Sequence, residues 1–113
     1  MTEIPPLDTA TVETLKGLMK DGFPHLIETF LTSTTQQYGD LKAAIETQNV
    51  DEVVKLLHML KGSSGSVGAL SLHDKSRTFE SIARAGNIAS STEWMEQLTI
   101  EFENYKNEIK NYL

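Results

Sequence analysis

The sequence predicts an all-α fold: an antiparallel up-and-down four-helix bundle with an additional short N-terminal helix. Long segments repeat apolar residues at the three-and-four spacing that buries one face of a helix, and none alternates apolar and polar residues as a strand would. The breaks between these segments are short and carry Gly, Asn or Ser, which favours antiparallel neighbours. At 113 residues the chain suits one domain with a real core, so residues 1–113 are read as a single helical domain.

Ile4-Pro5-Pro6-Leu7 is an extended lead-in, after which Asp8 or Thr9 can cap a helix to about Lys20 with Val12, Leu15, Leu18 and Met19 on one side. Asp21-Gly22 should end it. The second helix starts at Phe23 or Pro24 and runs to about Thr47, because Phe23, Leu26, Ile27, Phe30, Leu31, Tyr38, Leu41 and Ile45 keep the spacing. Pro24 is tolerated in a first turn, and Gly39 is the weak point. Asn49 or Val50 opens the third helix, with Asp51 and Glu52 near its positive end, and it continues to Val67 or Gly68. A fourth helix, about Ser71 to Ala85, offers Leu72, Phe79, Ile82 and Ala83 inward and stops at Gly86-Asn87. Ser90, Ser91 or Thr92 caps the last helix, whose Trp94, Leu98, Phe102, Tyr105, Ile109 and Tyr112 form its inward stripe.

The third helix holds the most unusual stretch, Leu56 to Leu70. On a wheel of about 100° per residue, Val53, Leu57, Leu60, Ser64 and Val67 share one side, while Lys55, His58, Lys61, Gly62 and Gly65 cluster opposite. His58 therefore faces solvent between two lysines. A glycine inside a helix costs about 1 kcal/mol against alanine, a loss that needs a reason in a domain of ordinary stability. Gly62 and Gly65 lie on the histidine's own face and remove side chains beside it, so a partner could come close to the imidazole. On that reading a larger residue at Gly65 would stabilise the helix yet obstruct the partner. Val54, about 40° from His58 on the wheel, would belong to the docking surface rather than the core.

The composition excludes several classes. There is no cysteine, which rules out disulfides and thiolate zinc sites and suits a reducing cytoplasm. The acidic, proline-broken N-terminus does not resemble a signal peptide, and no run approaches a membrane span. A net charge of −6 argues against nucleic-acid binding. Between Val54 and Thr78, however, Lys55, Lys61, Lys75 and Arg77 face only Asp74, a local positive balance suited to a phosphorylated ligand or an acidic partner surface. His25 and His73 form no HxxxH pair and are read as surface residues. Neither a GxxxxGK[ST] phosphate loop, a GxGxxG nor a GxSxG is present, and no second group is placed to serve as base in a hydrolytic triad. Nothing in the sequence binds ATP.

His58-Met59-Leu60-Lys61-Gly62-Ser63-Ser64, followed by Gly68-Ala69, resembles the HxLKGSS…GA signature of the histidine-containing phosphotransfer (HPt) domain. The resemblance runs from near Phe23 to Arg84-Ala85-Gly86, which looks like the family's RxG ending of the following helix. It implies that His58 is a phosphoacceptor in a two-component phosphorelay, taking a phosphoryl group from the aspartate of one response-regulator receiver domain and passing it to another. A hybrid histidine kinase would stand upstream. It further implies a cytoplasmic monomer with no kinase activity and no cofactor of its own, Mg²⁺ being carried by the partner receiver domain. An ordinary imidazole is largely uncharged and nucleophilic near neutral pH, which suits the role. Lys61, one turn away, could offset the added charge of about −2, with Val54, Lys55, Gly62 and Gly65 forming the docking surface. Ser64 falls inward and should bond the backbone four residues earlier, whereas Ser63 is a candidate to orient the site. The alternative is a helical docking module that binds a signalling partner through the same face without phosphoryl transfer.

Overall fold

The apolar spacing becomes five helices in the computed structural model, which describes residues 3–113. They are α1 (Thr9–Met19), α2 (Phe23–Glu46), α3 (Val50–Ser66), α4 (Leu70–Arg84) and α5 (Ser91–Ile109), with short 3-10 turns at Lys20–Gly22 and Lys110–Tyr112. Asp8 caps α1 by accepting from the Thr11 N–H, and Asn49 caps α3 by accepting from the Glu52 N–H. Gly39 does not interrupt α2.

Cross-helix contacts fix the topology. Phe30 meets Tyr105 while Tyr38, farther along α2, meets Phe102 and donates its hydroxyl to the Leu98 carbonyl at 2.6 Å, so α2 and α5 run antiparallel. Phe79 stacks on Trp94 and Lys75 reaches Gln97, which orients α4 against α5 in the same way. Gly65 meets His73 and His58 meets Glu80, which makes α3 and α4 an antiparallel hairpin. Because α3 also packs on α2, the four long helices close an up-and-down bundle around Ile27, Leu57, Leu60, Leu72, Leu98 and Tyr105. Burial pushes the pKa values of the Tyr38 and Tyr105 phenols up, so both remain hydrogen-bond donors. The Tyr105 hydroxyl donates to the Val67 carbonyl at 2.8 Å, tying α5 to the end of α3.

That end is a Schellman turn. The Ala69 N–H bonds the Ser64 carbonyl at 2.9 Å, the Gly68 N–H bonds the Gly65 carbonyl, and Gly68 takes a φ of 73°. Gly68 is also crowded: a Cβ there would stand 2.9 Å from Val12 Cγ2 and 3.2 Å from the Asp8 carbonyl oxygen. Only glycine satisfies both demands, and α1 lies across this end of the bundle, with the Asp8 N–H on the Gly68 carbonyl. The turn sets the register in which α4 returns along α3 and thereby brings Glu80 to His58.

Three sequence expectations need correction. Leu18 is 76% exposed and Met19 is also exposed, because α1 meets the bundle through its first turns, and Leu18 lies about 120° from the buried Val12 on the wheel. Helix α1 has the expected extent, with Met19 its last residue, but it is stopped by the positive φ of 50° at Lys20 rather than by Asp21-Gly22, which lie in the 3-10 step into α2. Ile82 is 37% exposed, lying about 100° from Ala83 at the outer edge of the α4 stripe. Among the described residues no helix is long and apolar enough to cross a membrane.

Candidate functional site

His58 projects from the middle of α3 with 60% of its side chain exposed, while the carboxylate it meets on α4, Glu80, is only 5% exposed. Glu80 Oε2 lies 3.0 Å from His58 Nδ1 and accepts from Arg84 Nε and Nη2 at 2.9 and 2.6 Å. Its other oxygen, Oε1, lies 2.7 Å from Lys61 Nζ. One buried carboxylate therefore gathers an imidazole, an ammonium and a guanidinium drawn from two helices.

The electrostatics of this cluster fix a proton. Burial, the largest single influence on Glu80, raises its pKa, but the hydrogen bonds from Lys61, Arg84 and His58, with the Lys61 charge, outweigh it and hold the group down to about 2. Glu80 is thus an ionised acceptor with no proton to give. The hydrogen on the shared 3.0 Å contact must belong to Nδ1 of His58. In the neutral ring the lone pair then lies on Nε2, on the side of the imidazole turned away from Glu80. The cluster positions a nucleophile.

Glu80 is the residue that sequence reasoning missed, and with it the group that partners His58. A signal was present: on the α4 wheel Glu80 falls about 40° from Ser76 and 60° from Ala83, both buried. A glutamate on an inward face is rarely buried without partners, and Arg84 follows it by four residues. Arg84, of the Arg84-Ala85-Gly86 segment, joins the site although it lies outside the basic window read from the sequence. Two members of that window are engaged elsewhere, Lys75 with Gln97 and Arg77 with Asp74.

The other candidates are placed as follows. Lys55 and Gly62 are exposed, and nothing stands within 4 Å of where a Gly62 Cβ would be. The space beside Gly65 is occupied: its Cβ would stand 3.0 Å from His73 Nδ1. His73 is therefore not a free surface residue, since Nδ1 also lies 2.8 Å from the Lys61 carbonyl oxygen, to which it can only donate. Val54 is half-buried and packs against the core. Ser64 bonds the Leu60 carbonyl at 2.5 Å, four residues back, and Ser63 bonds the same carbonyl at 3.3 Å. His25 is exposed. Among the described residues no group of three or more His, Asp and Glu is arranged to hold a metal ion.

Residues 25–108 match the family model of the Hpt domain. Over 104 residues the chain is 25% identical to histidine-containing phosphotransfer protein 4 of Arabidopsis thaliana, an alignment covering 87% of this chain and 82% of that one. Its structure resembles the crystal structure of histidine-containing phosphotransfer protein B from Pseudomonas aeruginosa with a TM-score of 0.91, at 27% identity over 96% of this chain and 94% of the other. It also resembles that of a histidine-containing phosphotransfer protein from Medicago truncatula with a TM-score of 0.82, at 26% identity over 94% and 76% of the two chains.

Proposed function

The chain belongs to the Hpt domain family, and from that premise we propose that it is a phosphorelay carrier in which Nε2 of His58 accepts a phosphoryl group from a receiver-domain aspartate and passes it to the aspartate of another. The observation that supports this most is the exposed imidazole whose Nδ1 is held by a buried, ionised carboxylate, which leaves Nε2 as the outward nucleophile. The partner receiver carries the Mg²⁺ and much of the charge stabilisation, while this chain presents the nucleophile in line. It acts as one cytoplasmic helical domain and monomer, without a kinase or ATP site of its own.

Lys61 steadies the phosphoryl group. Its ammonium starts on Glu80 and can turn toward the new charge of about −2, because Arg84 remains to neutralise the carboxylate. Lys55 and Gly62 form the docking surface around the ring, with the gap at Gly62 allowing the closest approach, whereas the gap at Gly65 is taken up by His73 and Val54 packs on the core. The test is incubation with a panel of phosphorylated receiver domains. Wild type should acquire an acid-labile, base-stable phosphate that His58→Gln lacks, the variant keeping its helical circular dichroism because an exposed side chain leaves no cavity. Phosphate retained on the variant would remove His58 from the role. Receiver binding without any transfer would favour the docking-module reading instead.

A further inference from the structure

Resting on the carrier reading, we propose that Glu80, braced by Arg84, keeps the Nδ1 proton on His58 throughout the phosphorylation cycle, so that the phosphoryl group is loaded and released with no proton transfer and departs from a protonated ring. Glu80 is then a positioning residue that sets how readily the phosphohistidine gives up its cargo.

The balance of atoms supports this. In loading, the Nε2 lone pair forms the N–P bond while the P–O bond of the aspartyl phosphate breaks and its electron pair returns to the receiver carboxylate. The ring now carries phosphorus on Nε2, hydrogen on Nδ1 and one positive charge. In water such a ring can lose the remaining proton. Here the proton lies between Nδ1 and a carboxylate oxygen 3.0 Å away, and losing it would set two lone pairs against each other in a part-buried contact whose carboxylate side is shut off from water. The resting bond already has an ionised acceptor, and phosphorylation adds a positive charge to the donor ring, so the contact tightens. In release, the N–P electron pair returns to Nε2 and the leaving group is a neutral imidazole that still carries its Nδ1 hydrogen. Had the proton been lost, the leaving group would be an imidazolate anion, a far poorer one.

The charged groups around the ring favour this arrangement. Lys61 from α3 and Arg84 from α4 are both bonded to Glu80, and among the described residues no charged side chain of α2 pairs with His58. Arg84 places Nε and Nη2 on the same oxygen that meets His58, so Glu80 stays ionised even when Lys61 turns to the phosphoryl group. The new phosphoryl charge itself favours a protonated ring.

The experiment loads the full chain and Glu80→Gln with phosphoramidate, which needs no receiver, and follows ring protonation of the phosphohistidine by ³¹P and ¹⁵N NMR from pH 5 to 9. Transfer rates to one receiver are measured over the same range. A glutamine can accept from a protonated Nδ1 or donate to an unprotonated one, so it no longer favours the proton. The titration midpoint should fall by about 1 unit or more, and above both midpoints transfer should slow about tenfold or more. Glu80→Asp, which keeps the charge but draws the carboxylate back from Nδ1 by one methylene, should shift the midpoint the same way by less and serves as the test if Glu80→Gln fails to fold. Coincident midpoints in the folded variants and wild type would overturn the inference and leave the carrier reading intact. A wild-type chain that takes no phosphate from phosphoramidate or from any receiver would overturn both.

Discussion

Alanine at Gly62 and alanine at Gly65 should have different effects, although both positions lie within α3 and both face outward. Each substitution gains about 1 kcal/mol of helix propensity. At Gly62 nothing stands within 4 Å of the new Cβ, so the full gain should appear, raising Tm by about 4 °C or more in a domain of this size. At Gly65 the Cβ would stand 3.0 Å from His73 Nδ1 and 3.4 Å from Cε1, so the imidazole must move by a few tenths of an ångström. That motion loosens its 2.8 Å bond to the Lys61 carbonyl, and losing a bond of this kind costs about 0.5–1.5 kcal/mol. The two terms nearly cancel. Gly65→Ala should therefore be close to wild type and about 1 kcal/mol below Gly62→Ala in urea or thermal unfolding followed by circular dichroism. A leucine at Gly65 would displace the ring altogether and destabilise the protein, the reverse of what the helix wheel suggests. The cycle with His73→Ala isolates the cause, because removing the ring should restore the full alanine gain at Gly65. Equal gains at the two glycines in the wild-type background, or no coupling with His73, would refute this reasoning.

Three further outcomes follow from the same geometry. Glu80 has a folded-state pKa depressed to about 2, so its contribution is present above its unfolded value and is lost as pH falls toward 2; the stability gap between wild type and Glu80→Gln, up to the order of 3 kcal/mol at pH 7, should close between about pH 5 and pH 2 in unfolding titrations. Lys61→Ala should lose about 1–2 kcal/mol with its hydrogen bond to a buried carboxylate, remain folded on the strength of Arg84, and transfer phosphate more slowly; unchanged kinetics would reduce Lys61 to a structural partner of Glu80. Tyr105→Phe leaves the Val67 carbonyl without its buried donor and should cost about 1–3 kcal/mol in chemical denaturation with no direct effect on His58.

The helices and their order were legible because apolar spacing, caps and short breaks all point the same way. Asp8 and Asn49 cap as read, and α5 buries Trp94, Leu98, Phe102, Tyr105 and Ile109 as its stripe requires. Periodicity could not show which part of each helix meets a neighbour. Leu18 has a helical partner in sequence but overhangs the bundle in space, and Ile82 sits at the margin of its stripe. His58 and its outward face were legible from α3 alone, because a single helix fixes the direction of its own side chains. Glu80 was not, because it approaches from another helix and its meaning depends on a register set by the turn at Gly68. The same register explains why the bare backbone at Gly65 receives a histidine of the same chain.

The most direct measurement is the site of attachment, read from ¹⁵N–³¹P couplings in the phosphorylated, ¹⁵N-labelled chain. The expected result is a single phosphorus on Nε2 of His58, with a hydrogen still on Nδ1 beside Glu80. Phosphorus on Nδ1, or on His25 or His73 instead, would contradict the assignment of Glu80 as the group that fixes the nucleophilic nitrogen.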